Sequence, residues 1–283
     1  HLVKARYSPL QALVLRADEQ ESEHHPLLAD ADDLDGMPVV VADLHSALPA
    51  VLAGARHAAR EAGHPPPRAV YVMTDGGALP LWYSRAVAAL RDAGWLAGSV
   101  TVGQAFGGDL EAVTVHTGLL AARLVQGADL AVVAQGPGNL GTGTRWGFSG
   151  VAAGDAVNAV GVLGGRAVAA LRVSGADPRD RHRGVSHHSL TAYGKVALHA
   201  ADLVVPTSDD PARSALLAQV ASEADALCPP HRRVDVPTPP ALREALEACP
   251  VRLSTMGRGL ADDPESFLAT AAAGVHAASL VAR

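Results

Sequence analysis

The sequence predicts an α/β fold: a doubly wound, mainly parallel sheet with helices on both faces and a short N-terminal β-hairpin. Short β-branched runs alternate with Ala- and Leu-rich stretches of helical spacing, a pattern typical of parallel sheets covered on both faces. Of the 283 residues, 48% are hydrophobic and only 4% are aromatic. The core is therefore expected to consist of closely packed aliphatic helices and strands.

Six runs are predicted as strands of this sheet, in chain order MPVVVAD, RAVYVMTD, GSVTVGQA, DLAVVAQG, RAVAALRVSG and ADLVVPTSD. Helical stretches separate most of them. Two segments interrupt the alternation: a glycine-rich loop follows the fourth run, and the polar stretch DPRDRHRGVSHHSL follows the fifth. Because ligands bind outside the carboxyl ends of parallel strands, these two segments are the first candidates for a functional site.

The chain divides by composition into two parts. Residues 1–35 are predicted as a β-hairpin and an acidic linker, the remnant of a longer N-terminal segment. Residues 36–283 are predicted as the α/β domain, with 210–283 as its C-terminal α/β extension. The net charge of −6 argues against nonspecific nucleic-acid binding, and no apolar run has the length of a membrane span.

Cysteine usage and fold class indicate the setting of the protein. Cys228 and Cys249 lie in no CxxC pattern, which favours free thiols in a reducing cytoplasm. Folds of this class are commonly oligomeric. We therefore expect a cytoplasmic homo-oligomer.

Polar side chains follow the first three predicted strands. Asp43 and His45 share a face if the chain stays extended after the first strand, and Asp75 follows the second. Carboxylate and imidazole groups together favour a divalent metal ion, with Mn, Zn and Fe equally acceptable. Asp109 follows the third strand and is predicted to cap the next helix, a structural role.

The glycine loop, GPGNLGTGTRWGFSG, contains a GxGxxG pattern at Gly136, Gly138 and Gly141. No helix opens at the third glycine and no acid ends a strand about twenty residues later, so a dinucleotide fingerprint is disfavoured. Backbone N–H groups around Gly136, Gly138, Gly141 and Gly143 could still converge on an anion, to which Arg145 would add charge. The alternative interpretation is a mobile surface loop.

The polar stretch combines arginines with histidines. If residues 177–183 are extended, Arg179, Arg181 and Arg183 project to one side and suit a phosphate or carboxylate. Ser186 is predicted to cap a helix whose first turn holds His187 and His188. The helix dipole keeps such imidazoles neutral, the form that metal ligation and general-base catalysis require. Taken singly, each histidine is also compatible with a structural or exposed position.

The leading hypothesis is a metal-assisted hydrolase or transferase acting on a small anionic substrate that bears a phosphate or carboxylate. The cofactor would be a divalent metal. His187, His182 and Asp177 are the candidate catalytic residues. The candidate metal ligands are His182, His187, His188, Asp43, His45 and Asp75. The glycine loop, Arg145 and the three arginines would bind the substrate. The alternatives are a metal-free histidine-dependent enzyme, a noncatalytic metabolite- or nucleotide-binding module, and a structural subunit.

Three segments, GGDLEAV, GPGNLGTGTRWGFSG and DPRDRHRGVSHHS, together resemble a bacterial family described only as a domain of unknown function. The resemblance covers nearly the whole chain and implies an additional N-terminal segment but no reaction. The segment HRGVSHHS also resembles the HRG-x-T-H-S stretch of membrane proteins described as metal-dependent hydrolases. Ser186 stands where those proteins have threonine.

Overall fold

The computed structural model describes residues 2–77 and 79–281, and it contains one large parallel sheet with helices on both faces. The strands of the described residues are β1 Leu2–Lys4, β2 Ala12–Val14, β3 Pro38–Val41, β4 Ala69–Thr74, β5 Gly98–Thr101, β6 Leu110–Glu111, β7 Leu130–Gln135, β8 Arg166–Ala170, β9 Val173–Ser174, β10 Gly184–Val185, β11 Asp202–Thr207, β12 Arg232–Pro237, β13 Ser254–Thr255 and β14 Arg258–Gly259. The α-helices are α1 His25–Leu28, α2 Leu48–Glu61, α3 Arg85–Asp92, α4 Val115–Leu120, α5 Ala152–Val162, α6 His187–Thr191, α7 Ser214–Asp225, α8 Pro240–Glu247 and α9 Pro264–Ser279. The doubly wound α/β fold predicted from the sequence is confirmed.

Eight strands form the central sheet, in the order β12-β11-β8-β3-β7-β4-β5-β6. Every neighbouring pair is parallel. The chain leaves β3 for β4 and fills the place between them only later, with β7. The connection after β3 packs α2 on one face, whereas the connection after β7 packs α5 on the other. The carboxyl ends of β3 and β7 therefore flank a topological switch point, where ligands bind in folds of this kind.

The helices α2 and α9 approach each other closely on one face of the sheet. A Cβ atom added to Gly54 would lie 2.7 Å from the carbonyl carbon of Ala271, and one added to Gly274 would lie 2.8 Å from that of Val51. Only glycine permits such an approach of two backbones. Because α9 packs on α2 and β12 pairs with β11, residues 210–281 are continuous with the main sheet.

The N-terminal segment is attached to the same domain. The strands β1 and β2 pair as the predicted antiparallel hairpin, and the buried Lys4 forms an ion pair with Glu111 at 2.9 Å. Leu28 and Leu34 belong to the main hydrophobic core. The acidic stretch predicted as a linker is thus packed against the sheet, because its apolar side chains gain free energy when they are buried there.

Asp109 corrects one prediction from the sequence, since it caps no helix. Its carboxylate accepts hydrogen bonds from the backbone N–H of Ser99 at 2.8 Å and from the Ser99 hydroxyl at 3.0 Å. The chain after Gly108 forms the short edge strand β6, and α4 starts only at Val115, capped by Thr114. In the part of the chain that the structure describes, no helix has the length and apolar character needed to cross a membrane.

Candidate metal centre

Three imidazoles meet beside the carboxyl ends of β3 and β8. Each of His182, His187 and His188 offers a ring nitrogen, and these three atoms lie within 4.8 Å of one another. Nitrogens bound to one zinc ion at 2.0–2.1 Å in tetrahedral geometry lie about 3.3 Å apart. The three side chains would therefore have to close by at most about 1.5 Å to bind one ion, which small rotamer changes can supply.

The local backbone explains why these side chains meet. The strands β9 and β10 pair as an antiparallel hairpin that returns the chain to the end of β8. Ser186 then caps α6 as predicted, because its Oγ accepts a hydrogen bond from the N–H of His188 at 3.2 Å. The same Oγ lies 2.7 Å from Nδ1 of His182, which precedes the hairpin strand in a 3-10 turn. One hydroxyl thus positions two of the three imidazoles.

Asp43 supports the imidazole of His188 from the end of β3. Its Oδ2 lies 3.2 Å from Nδ1 of His188 and 3.5 Å from Nη1 of Arg172. Burial alone would raise the pKa of Asp43, but His188 and Arg172 lower it below its usual value, so the carboxylate is ionised. When Nδ1 of His188 donates its hydrogen to Asp43, Nε2 keeps its lone pair. This is the carboxylate–histidine pairing typical of metal ligands.

The other two imidazoles are neutral at pH 7. Burial, with help from the charges of Arg172 and Arg179, lowers the pKa of His182 to about 3. Burial, His188 and Arg181 lower that of His187 to about 4. Nε2 of His187 is buried and has no hydrogen-bond partner among the described residues. A buried nitrogen of this kind needs a partner, which a metal ion would supply.

The glycine loop closes one side of the histidine cluster. The ring of Phe148 stacks on His188, with centroids 3.9 Å apart and planes 4° from parallel. The loop folds back on itself through an antiparallel bridge between Gly141 and Phe148. A Cβ atom added to Gly143 would lie 3.7 Å from Nη2 of Arg181. The loop and the polar stretch thus lie together at one crevice.

Residues 1–274 match a family described as proteins of unknown function, DUF3866. The chain belongs to the DUF3866 family. The resemblance to a family of unknown function is therefore confirmed. No match to the chain was found among curated proteins or among solved structures. The family description assigns no reaction, so the function of this DUF3866 protein has to be argued from its site.

Asp177 is not part of the histidine cluster of the DUF3866 chain. Its buried carboxylate binds Arg179 at 2.9 Å and Arg258 at 2.8 Å. The hydrogen bonds from Arg179, followed by those from Arg258, hold its pKa far below the usual value. Two guanidinium groups thus occupy this carboxylate, and the catalytic role expected of Asp177 stays a prediction.

The predicted row of arginines is also absent, because residues 180–182 form a 3-10 turn instead of an extended strand. Arg179 binds Asp177, and Nε of Arg183 donates to the carbonyl of Asp177 at 3.1 Å. Arg181 alone of the three lies beside the glycine loop. Arg145 is exposed on that loop.

His45 and Asp75, predicted as metal ligands, lie outside the cluster. The Tyr71 hydroxyl donates to the carbonyls of Ala134 and Gln135, so it must accept from Nδ1 of His45 at 2.9 Å. Nε2 of His45 then accepts from Ser84 at 2.6 Å, and no nitrogen is left for an ion. Asp75 follows β4, near Gly103. Because β7 lies between β4 and β3, Asp75 is separated from the histidines.

The first glycines of the loop line a different space. Gly136 and Gly138 face a crevice of about 300 Å³ at the end of β7, whose opposite wall includes Thr255 in the hairpin of β13 and β14. A Cβ atom added to Gly136 would lie 3.0 Å from Sδ of Met73, so a larger residue here would have to displace the Met73 side chain. The predicted anion-binding glycines are therefore divided between two sides of the switch point.

Sequence reasoning missed Arg172 and Phe148. Arg172 is the first charged residue after β8, and the rule that ligands bind at strand ends could have identified it. It was hidden because the run RAVAALRVSG was interpreted as one strand, whereas the chain bends after Ala170. Phe148 had no signal of its own in the glycine loop, since its role depends on the distant His188.

Proposed function

We propose that His182, His187 and His188 bind one divalent transition-metal ion, and that the protein is a metal-assisted hydrolase or related transferase acting on a small anionic substrate. The observation that carries this proposal is the convergence of three ring nitrogens within 4.8 Å, with the ionised Asp43 against one of them. Imidazole donors suit Zn, Fe, Ni or Cu. Three imidazoles would leave room for a water on such an ion, whose pKa the ion would lower.

The residues around the ion would have separate tasks. Asp43 fixes the orientation of His188, and Ser186 fixes that of His182. Phe148 covers one face of the cluster and restricts water there. Arg181, beside Gly143 at the mouth of the crevice, would attract a phosphate- or carboxylate-bearing molecule. These assignments support hydrolysis or group transfer at an anionic substrate, with water or an alcohol as acceptor.

The decisive experiment is metal binding by protein stripped with EDTA. We expect one zinc ion per chain, and at a free zinc concentration 100 times the dissociation constant a stabilisation of about 2.7 kcal/mol. For a chain of this size the melting temperature would rise by roughly 5–10 °C. His187→Ala should abolish the rise, whereas the control His116→Ala, an exposed histidine on α4, should retain it. Substoichiometric metal together with an unchanged response of His187→Ala would refute the proposal.

Activity gives a second test. Hydrolysis of a generic phosphomonoester such as p-nitrophenyl phosphate should be lost in EDTA and restored by zinc or another divalent ion. Hydrolysis that persists in EDTA would favour the metal-free histidine-dependent enzyme. A ligand that stabilises the protein but is recovered unaltered after long incubation would favour the noncatalytic binding module.

A further inference from the structure

A small cavity lined by both apolar and charged side chains adjoins the histidine cluster on the side of Asp43. It has a volume of about 30 Å³, and Asp43, Arg172, Thr255 and Arg258 are among the residues that line it. A single ordered water needs roughly 10–15 Å³ by the same measure. The cavity therefore has room for about two oxygen-sized groups.

The lining offers hydrogen-bond donors that the protein itself does not use. Nη1 of Arg172 contacts His188 and Asp43, but Nε and Nη2 have no hydrogen-bond partner among the described residues. Arg258 uses Nε and Nη2 for two carboxylates and leaves Nη1 unused within the same residues. The Arg172 side chain is only 11% exposed and that of Arg258 17%. Largely buried guanidinium groups with spare N–H donors match the oxygens of carboxylates and phosphates.

The balance of charges around the cavity also favours an anionic ligand. Three carboxylates face three guanidinium groups, and the members of this set are Asp43, Asp177, Asp263, Arg172, Arg179 and Arg258. The charges of these six groups cancel. A divalent ion at the histidines would therefore add positive charge with no counterpart in a poorly solvated place. An anionic group beside the ion would balance it.

We propose that this cavity binds two oxygen atoms of the oxyanion group of the substrate, a carboxylate or a phosphate monoester, with Arg172 as the principal donor beside the metal ion. The inference rests on the proposed function, because the metal ion supplies the uncompensated charge. It makes Arg172 the residue that selects oxyanion substrates, and it makes the hairpin of β13 and β14 a wall of the substrate site through Thr255 and Arg258.

Calorimetric titration of inorganic phosphate, and separately of acetate, into metal-free and zinc-loaded protein tests this inference. Whichever of the two anions binds shows whether the oxyanion group of the substrate is a phosphate or a carboxylate. We expect its affinity to rise at least tenfold when zinc is bound, and by linkage the zinc affinity must rise by the same factor. Loss of one charged donor should weaken anion binding about 10- to 100-fold in Arg172→Gln.

Three further variants make the outcome decisive. Thr255→Val keeps the size of the side chain and removes the hydroxyl, which also accepts from Ser46 at 3.2 Å, and it should weaken anion binding severalfold even if Arg172→Gln does not fold. Arg243→Gln, an exposed arginine of α8 paired with Glu247, should bind the anion as the wild type does. A loss confined to Arg181→Gln, with Arg172→Gln and Thr255→Val unaffected, would place the anion at the loop instead and overturn the inference.

The two proposals fail in different ways. Stoichiometric zinc with no binding of phosphate or acetate would overturn the inference while the metal centre stands. Anion binding that depends on Arg172 in a protein that takes up no zinc would support the cavity as an oxyanion site and overturn the proposed function.

Discussion

The substitution Gly54→Ala tests the backbone contact between α2 and α9. The added Cβ would overlap the carbonyl oxygen of Ala271 and lie 2.7 Å from its carbonyl carbon, whereas ordinary contacts begin near 3.4 Å, so the helices must part by at least about 0.7 Å. A gap of this size loses between a quarter and a half of the dispersion energy of each affected atom pair. Overpacking against rigid neighbours costs about 3 kcal/mol at the upper end of the usual range. Alanine recovers roughly 0.5–1 kcal/mol as the better helix former.

The net expectation is a loss of about 2 kcal/mol, which lowers the melting temperature by roughly 4–8 °C in a chain of this size. Differential scanning calorimetry measures this change in melting temperature directly. Ala58→Gly, on the same helix, controls for helix propensity and should cost only about 1 kcal/mol. Gly274→Ala pushes apart the same two helices. The double variant should therefore lose less unfolding free energy than the sum of the losses in the two single variants. A melting temperature that stays constant or rises in Gly54→Ala would show that the helices are not in backbone contact.

Three other predictions concern the histidine site. Asp43→Asn should weaken zinc binding about 10- to 100-fold, because His188 would lose the carboxylate that orients it. Competition with a chelator measures the zinc affinity. An affinity equal to that of the wild type would rule out Asp43 as the partner of His188. The free energy of unfolding of metal-free protein should fall as the pH drops from 6.5 towards 4, because the unfolded chain protonates His182 and His187 near pH 6.5 while the folded protein does so only near pH 3 and pH 4. Urea unfolding at several pH values will show this slope, which should be shallower in His187→Gln; equal slopes would contradict the lowered pKa of His187. Phe148→Ala should release the glycine loop and speed tryptic cleavage at the exposed Arg145, and cleavage at the wild-type rate would mean that the aromatic stack does not hold the loop.

The strands could be predicted from the sequence because each one is a local signal. The buried strands β4 and β7 are nearly continuous apolar runs, as expected of strands covered on both faces. The place of β7 between β3 and β4 had no such signal, because strand order depends on pairing between distant segments. The switch point, and with it the location of the site, therefore became visible only in three dimensions.

Among the site residues, too, local features could be predicted from the sequence and long-range contacts could not. The Ser186 cap and the positions of His187 and His188 in the first turn follow from neighbouring residues, and the sequence predicted them. His45 looked like a free ligand because its partners, Tyr71 and Ser84, come from other elements. The pairing of Asp177 with Arg258 could not be predicted for the same reason, since Arg258 lies 81 positions further along the chain. Whether a polar residue at a strand end is available to bind a ligand therefore depends on contacts with residues far away in the sequence.

The ring that covers His188 is carried by a segment with glycines at 136, 138, 141, 143, 147 and 150, while the imidazole beneath it is anchored to the sheet through Asp43. If the histidines bind an ion as proposed, a molecule that enters or leaves the site past Phe148 would require this segment to move aside while the sheet stays in place. Such excursions take microseconds to milliseconds. Under the proposed function, the frequency of this opening would be a ceiling on turnover.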